Sequence, residues 1–517
     1  MEKEHYHPRL LTMWWQRLAA FATGLLGWSR TVDAVNHSQF KTCHQSGFCS
    51  RQRHYAEDPS HKWIVPLTSI RVGEKVVKWA IERDDGRVKL ESSVHIYQGG
   101  IVRIRIDEPS RSLPRYHTVP NDIVLDKNLY PLQLDHETVV EEGILRIYAK
   151  VRGESSAMAQ IKLHDFSISI QGHDGKPILG FGQQGFFNVE STGEAEEEVF
   201  QRWTDSQPQG RQSLGADVSL YGVTHLMGLP EHATALNLKA TKSGITFPKD
   251  DPDNETLSSS TYTEPYRLYN LDVFEYELDS PMALYGSIPM MIGVEAGNRN
   301  SAVGLFWNNP SEGWVDVYDG AAVSGGRMTH FMSESGIIDL MCFAGPLVTD
   351  VISQYYQVTG RPFMPPLFSL GYHQCRWNYM SQEDLLQVNA NLDLHQIPAD
   401  VLWLDIEHTD RKCYFTWNKA AFPNPLQMQS EMIGRELVLI VDPHLKKDMA
   451  YPLYAQITEN TELAVMNKGN QGIFEGDCWP GPSVWPDFID PLTRIWWRKQ
   501  FLLSNPTVFM TLMLLGD

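Results

Sequence analysis

The sequence predicts two folds in series, an all-β sandwich over residues 63–345 and an α/β domain over residues 365–517 that forms the first half of a (β/α)8 barrel. Runs that alternate apolar and polar residues fill the first range, for example IVRIRI at Ile101–Ile106, and they indicate half-buried strands. Beyond Pro365, apolar strands alternate with helical segments, which is typical of a parallel sheet. A linker helix is predicted over residues 346–364.

Composition is that of a globular chain with more than one core. The chain has 517 residues, of which 42% are hydrophobic and 21% charged. The net charge of -19 repels polyanions and no basic patch offsets it, so nucleic acid is not expected as a partner. Neither a metal site nor a cofactor is predicted, because four of the cysteines are too widely scattered to form a ligand set: Cys342, Cys375, Cys413 and Cys478.

The first residues, 1–35, resemble the start of a secreted chain. The apolar stretch Leu18–Trp28 follows Arg17 and is long enough for a signal-peptide core but too short to span a bilayer. A misassembled amino terminus is the alternative, because the preceding segment is long and carries Glu2 and Glu4. No membrane span is predicted.

Residues 36–62 are predicted to be a short linker that contains two cysteines. The spacing of Cys43 and Cys49 suits either a small disulfide in an oxidising compartment or two free thiols. Asn36 and Asn254 begin N-glycosylation sequons, which can be glycosylated only if the chain enters the secretory pathway.

Turn signals separate the strands of the sandwich. Asp174-Gly175 predicts a hairpin. The motif GFGQQG at 180–185 matches a dinucleotide-binding pattern, but a β-rich run follows it where a helix should begin, so a turn is predicted. The acidic stretch at 191–215 and the Ser/Thr-rich stretch at 248–263 are predicted to be exposed loops.

The α/β domain shows about half of a barrel. A helix is predicted to begin at Ser381, and the other elements are three strands and a last helix, at Phe368–His373, Asp400–Asp405, Leu437–Asp442 and Pro491–Leu503. Half a barrel leaves an open sheet edge, and the chain is therefore expected to be truncated.

Polar residues follow each predicted barrel strand, where the active sites of such barrels lie. An isolated aspartate at such a position is equally well a helix cap or half of a salt bridge, but three strand ends in phase favour a sugar-binding mouth. A zinc signature is absent, since the Glu-His pair lacks a second histidine at the required spacing. The residues are Tyr372, His373, Asp405, Glu407, His408, Asp442 and His444.

Five segments together resemble glycoside hydrolase family 31: PPLFSLGYHQCRWNY (365–379), VLWLDIEHTDRKCYFTWN (401–418), FPNP (422–425), IVDPH (440–444) and CWPG (478–481). Within that family the chain is similar to the neutral α-glucosidases, through YGVTHLMGLPEHA (221–233), YRLYNLDVFEYEL (266–278), PMALYGSIP (281–289) and SESGIIDL (333–340). The resemblance implies that the sandwich is galactose-mutarotase-like.

The resemblance also implies an activity, a partner and a compartment. Relatives of this kind are retaining hydrolases that remove α-1,3-linked glucose from N-linked glycans, in a heterodimer with a non-catalytic β subunit. FKTCHQSGFCSRQR (40–53) is similar to the members found in the endoplasmic reticulum lumen, where a Cys43–Cys49 disulfide is expected. The alternative is the cytosolic relative.

By position, the resemblance implies five substrate-binding residues: Asp272, Asp405, Ile406, Asp442 and Trp479. It assigns no catalytic residue, because the nucleophile belongs to a Trp-x-Asp-Met-Asn-Glu segment expected after the last helix, where this chain reads SNPTVFMTLMLLGD. The nucleophile and the acid are therefore expected beyond the chain's end, and the 517 residues are expected to be inactive. A non-catalytic fragment that binds carbohydrate or a subunit is the alternative.

Overall fold

The computed structural model describes residues 35–108, 115, 124–126, 133–151, 154–242, 263–273, 276–320, 326–467 and 471–502. They belong to two compact units, Met1–Arg361 and Pro362–Asp517. The signal-like stretch Leu18–Trp28, the sequon at Asn254 and the chain beyond residue 502 lie outside the described residues. Within these ranges, none of the helices has the length and apolar content needed to cross a membrane.

The first unit consists mainly of antiparallel strands. In chain order they are β1 (Trp63–Ile64), β2 (Arg71–Val72), β3 (Val77–Arg83), β4 (Lys89–Tyr97), β5 (Ile101–Asp107), β6 (His136–Glu141), β7 (Ile144–Val151), β8 (Glu154–Lys162), β9 (Ser167–Gln171), β10 (Pro177–Phe181), β11 (Phe187–Val189), β12 (Glu196–Phe200), β13 (Trp203–Gln207), β14 (Leu214–Leu220), β15 (His225–Gly228), β16 (Tyr266–Leu268), β17 (Met290–Val294), β18 (Val303–Trp307), β19 (Gly313–Gly320), β20 (Gly326–Ser333) and β21 (Ile338–Phe343).

These strands form two large sheets. One has the order β1-β3-β4-β5-β21-β18-β17-β15, with β2 on β3, and the other has the order β16-β19-β20-β14-β10-β9-β8-β7-β6, with β11 on β14. Strands β9 and β10 pair across Asp174-Gly175, which confirms the predicted hairpin. The motif at 180–185 lies at the end of β10 and in the turn after it, as predicted.

One apolar core joins the two sheets. It includes Trp79, Ile104 and Leu305 from the first sheet and Ile168 and Val218 from the second, each at most 2% exposed. Burying an aliphatic side chain of this kind stabilises the fold by roughly 1.5–3 kcal/mol. Because both sheets contribute to one core, the predicted sandwich is confirmed.

Helix α1 (Gly47–Glu57) holds the amino-terminal segment on the sandwich. The adjoining disulfide joins Cys43 to Cys49, and this cluster packs against Trp314 and Met332. The stretch at 191–215 is largely exposed, as predicted, but it is not a loop, because β12 and β13 form a hairpin there. Its acidic residues are used as contacts: Glu198 accepts hydrogen bonds from Lys41 Nζ at 2.7 Å and from the Gly47 amide at 3.1 Å.

The remaining helices and strands follow from residue 348. Helix α2 (Val348–Thr359) belongs to the first unit and packs on its strands through Val351 and Val358. The second unit contains α3 (Gln382–Leu394), α4 (Pro425–Glu431), α5 (Pro452–Glu459), α6 (Pro491–Gln500), β22 (His373–Gln374), β23 (Val401–Leu404), β24 (Glu436–Leu439), β25 (Leu445–Lys446), β26 (Glu475–Cys478) and β27 (Gly481–Val484).

Strands β22, β23 and β24 form a parallel sheet with α3 and α4 in the connections, which confirms the α/β pattern. The predicted first strand is largely wrong, because Leu367–Leu370 is a 3-10 turn and only His373–Gln374 pair with β23. Pro366 explains the difference, since its carbonyl accepts hydrogen bonds from both the amide and the hydroxyl of Ser369, at 3.0 and 2.7 Å.

Candidate sugar-binding site

Asp405 follows β23 and caps the short 3-10 helix Ile406–His408. Its Oδ1 accepts a hydrogen bond of 2.7 Å from the amide of Ile406, and within the described residues its second oxygen accepts none. His408 is 3% exposed and donates from Nδ1 to the Asp405 carbonyl at 2.7 Å. Burial lowers the pKa of His408 to about 4, so this histidine is neutral and supports the turn. Asp405 keeps a part-exposed carboxylate at the strand end.

Asp442 and Trp479 are brought together after β24. Oδ2 of Asp442 accepts hydrogen bonds from the Tyr414 hydroxyl and, at 3.1 Å, from the Trp479 indole. The Trp479 ring stands nearly perpendicular to those of Tyr414 and His444, at 79° and 84°. Burial and the bonded Asp442 carboxylate raise the pKa of Tyr414, which therefore remains a donor. Sequence reasoning missed Tyr414, which lies on a loop.

Glu407 is held by two neutral donors at the same end of the sheet. Its Oε1 accepts hydrogen bonds from Trp377 Nε1 at 3.3 Å and from Asn378 Nδ2 at 3.2 Å. Trp377 is 64% exposed, and an exposed indole face can stack on a sugar ring. His373, in contrast, is occupied on both ring nitrogens, because it accepts from Trp403 Nε1 at 2.9 Å and donates to the Ser369 carbonyl at 3.0 Å.

Asp272, the other predicted binding aspartate, belongs to the first unit. Its Oδ1 accepts a hydrogen bond of 2.5 Å from the Tyr285 hydroxyl, and Tyr285 is 65% exposed. Ile406 lies in the turn that Asp405 caps and is partly exposed. The substrate-binding roles of these two residues stay predictions, as do those of Asp405, Asp442 and Trp479.

At Asn36 the sequon is exposed, and the Ser38 hydroxyl donates to Oδ1 of Asn36 at 2.7 Å.

No group of three or more His, Cys, Asp or Glu side chains in the described part of the chain is placed to hold a metal ion. The strand ends carry carboxylates and aromatic rings, which suit hydrogen bonding to sugar hydroxyls and stacking on a sugar ring.

Two family models match the chain. Residues 362–511 match the glycosyl hydrolases family 31 TIM-barrel domain, and residues 91–316 match the glycosyl hydrolase 31 N-terminal galactose mutarotase-like domain. The two matches agree with the half barrel and the sandwich described above.

Individual relatives agree with these matches. The chain is 38% identical to a probable glucan 1,3-alpha-glucosidase of Arabidopsis thaliana over 92% of its length, and 34% identical to glucosidase 2 subunit alpha of Schizosaccharomyces pombe over 90%. It spans about half of these relatives, 53% and 52%. A crystal structure of the ER glucosidase II heterodimeric complex superposes with a TM-score of 0.78 at 36% identity, over 90% of this chain and 53% of that one.

Proposed function

Because this chain belongs to glycosyl hydrolase family 31, we propose that it forms the sugar-binding part of an α-glucosidase of the glucosidase II type, which removes α-1,3-linked glucose from N-linked glycans. The observation that carries the proposal is the group of part-exposed carboxylates at consecutive strand ends, Asp405, Glu407 and Asp442, which are held by neutral donors. Two of those donors are the indoles of Trp377, on Glu407, and Trp479, on Asp442. Such carboxylates accept hydrogen bonds from sugar hydroxyls.

Binding and turnover are separate parts of the proposal. A retaining glycosidase needs a nucleophile and an acid whose carboxyl groups are roughly 5 Å apart. The nucleophile segment Trp-x-Asp-Met-Asn-Glu does not occur in this sequence. We assign Asp405, Ile406, Asp442 and Trp479, with Asp272 of the first unit, to substrate binding and none of them to covalent catalysis.

The proposed compartment is the lumen of the endoplasmic reticulum. The Cys43–Cys49 disulfide supports an oxidising environment over the cytosol, and the exposed sequon at Asn36 fits the same route. The proposed partner is a regulatory β subunit, since a similar chain was crystallised in a complex of catalytic subunit and the binding domain of the regulatory subunit.

Calorimetric titration of the 517-residue chain with an iminosugar analogue of glucose tests the binding proposal. Replacing Asp405 by Asn removes a charged acceptor, so affinity should fall by about 10-fold to 100-fold. Asp393→Asn is the matched control, because Asp393 lies in the last turn of α3, towards the opposite end of the parallel sheet, and should bind as the parent does. Equal affinities of the Asp405→Asn variant and the parent chain would refute the assignment.

Hydrolysis of a chromogenic α-glucoside tests the second part. The 517-residue chain should release no product, whereas the same chain continued through a complete family barrel should do so. Turnover by the 517-residue chain would contradict our account of the nucleophile.

A further inference from the structure

Cys478 and His444 lie side by side in the second unit. Pairing of Leu445 with Val484 in β25 and β27, and of Cys478 with Gly481 in β26 and β27, brings the two residues together. The Cys478 Sγ atom is 3.6 Å from His444 Nδ1. This distance allows a hydrogen bond between a thiol and an imidazole.

The imidazole of His444 is placed to accept a proton from that thiol, because its Nδ1 faces the sulfur. His444 is 4% exposed, and burial lowers its pKa, so the ring is neutral near pH 7. Its Nε2 is buried and has no hydrogen-bond partner in the described part of the chain, while Nδ1 faces the sulfur. A neutral imidazole with hydrogen on Nε2 presents its lone pair at Nδ1, and a thiol that loses its proton becomes the reactive thiolate.

The other cysteines outside the disulfide lack this arrangement. Cys342 and Cys413 are 1% and 2% exposed, and burial raises the pKa of each thiol. Cys375 is exposed, but partial burial and the nearby charge of Asp405 raise its pKa as well. Cys478 is partly exposed and has a histidine as neighbour. Exposure alone would make Cys375 the most reactive thiol, whereas the neighbouring His444 imidazole favours reaction at Cys478.

We propose that Cys478 is a thiol–disulfide exchange site, with His444 as its base and a small disulfide as its ligand. In the exchange, the Cys478 S–H bond breaks and the proton moves to His444 Nδ1. The sulfur then bonds to one sulfur of the small disulfide, whose S–S bond breaks. The departing thiolate takes up this proton from His444 and leaves as a thiol, so that atoms and electrons balance without another oxidant.

A mixed disulfide at Cys478 would block the sugar mouth, and this part of the inference rests on the proposed function. Trp479 is the next residue, its indole donates to Asp442 at 3.1 Å, and its ring centroid is 5.1 Å from that of His444. A group attached to Cys478 would therefore occupy space beside Trp479 and disturb its hydrogen bond to Asp442.

Labelling of the folded 517-residue chain with 4,4′-dithiodipyridine tests the exchange site. The released thiopyridone gives the rate, and peptide mass spectrometry gives the position. Cys478 should react before the more exposed Cys375, and His444→Gln should slow its labelling by about 10-fold or more. Cys375→Ser is the control that should leave the rate at Cys478 unchanged. Faster reaction of Cys375 in the parent chain, or an unchanged rate in His444→Gln, would overturn the inference; the first comparison requires no variant.

The iminosugar provides a separate test of the block. It should slow labelling of Cys478 but not of Cys375, and the chain labelled at Cys478 should no longer bind it. If the labelled chain binds the iminosugar as well as the parent does, the block is refuted. If neither form binds the iminosugar while Cys478 still reacts first, the sugar proposal fails and the exchange site stands.

Discussion

Two fully buried aspartates of the sandwich and three strand-end carboxylates of the second unit are held by different kinds of partner. In the sandwich, Asp339 is 0% exposed and accepts two hydrogen bonds from the Arg103 guanidinium, from Nε at 2.7 Å and from Nη2 at 2.6 Å. Asp316, also 0% exposed, is bound in the same way by Arg53, at 2.8 and 2.6 Å. Each buried charge is thus neutralised by a guanidinium, which satisfies it inside the fold.

At the strand ends of the second unit, the donors to the carboxylates are neutral. Asp405 is bound by a backbone amide, Glu407 by an indole and an amide side chain, and Asp442 by a hydroxyl and an indole. Among the described residues, no lysine or arginine forms an ion pair with any of the three. Neutral donors orient a carboxylate without cancelling its charge, so that charge remains available to a ligand. We therefore expect the two arginine-bound aspartates to hold the fold and the three part-exposed strand-end carboxylates to be available for binding.

The largest effect expected from this difference is in the sandwich. Arg103→Met would leave the buried Asp339 without its two-bond partner and with Arg105 at 4.0 Å as its remaining cation, so the free energy of unfolding of the first unit should fall by about 3–5 kcal/mol. Hydrogen exchange of peptides from β5 and β21, followed by mass spectrometry in increasing urea, measures this loss unit by unit.

Lys75→Met is the control for Arg103→Met. It removes a 2.7 Å pair with Asp135 in which the two side chains are 43% and 61% exposed, and it should cost less than about 1 kcal/mol. If the two variants lose equal stability, the buried pair has no special role in the fold.

Glu334 sharpens the comparison, because it is a sandwich carboxyl for which the described residues provide no arginine partner. Burial first, and then repulsion from Glu312, raise its pKa from 4.5 to about 7. The folded state therefore holds its proton more tightly than the unfolded state. Its contribution to stability is fully present below pH 4.5 and is lost as pH rises through about 7.

Glu334→Gln should remove this pH dependence. At pH 8 the variant should be more stable than the parent by on the order of 1 kcal/mol, and at pH 4 the two should be equal. Urea unfolding of the first unit between these pH values measures the difference, with the exposed Glu74→Gln as control. A gain of the same size at both pH values would show that the charge of Glu334 is not its cause.

Much of this fold could be predicted from local pattern. Period-two alternation marked sandwich strands such as β3, which buries one face, although β14 and β18 are buried along their whole length. The apolar runs marked β23 and β24. Propensity failed at Leu367–Leu370, where Pro366 closes a 3-10 turn in a run that reads as a strand. It failed also at β12, where the acidic residues alternate in burial and Glu198 serves the amino-terminal segment.

The candidate site was only partly predictable. Asp405 and Asp442 are marked by their positions directly after apolar strands, and their binding roles came from a family resemblance. The position of the Tyr414 hydroxyl depends on a loop, and the contact between Cys478 and His444 depends on the pairing of β25 with β27, which are distant in sequence. No local signal specifies such contacts before the chain is folded.

The smallest effect should come from Asp405→Asn, and it separates binding from folding most directly. Asparagine caps a helix about as well as aspartate, so the Ile406 amide keeps its acceptor and stability should change by less than about 0.5 kcal/mol. Hydrogen exchange of the β23 peptide measures this, beside Leu404→Ala, which empties a fully buried position and should cost about 2–5 kcal/mol. A loss in Asp405→Asn as large as that in Leu404→Ala would place Asp405 with the carboxylates that hold the fold. A neutral result together with lost iminosugar affinity would mean that its charge serves the ligand.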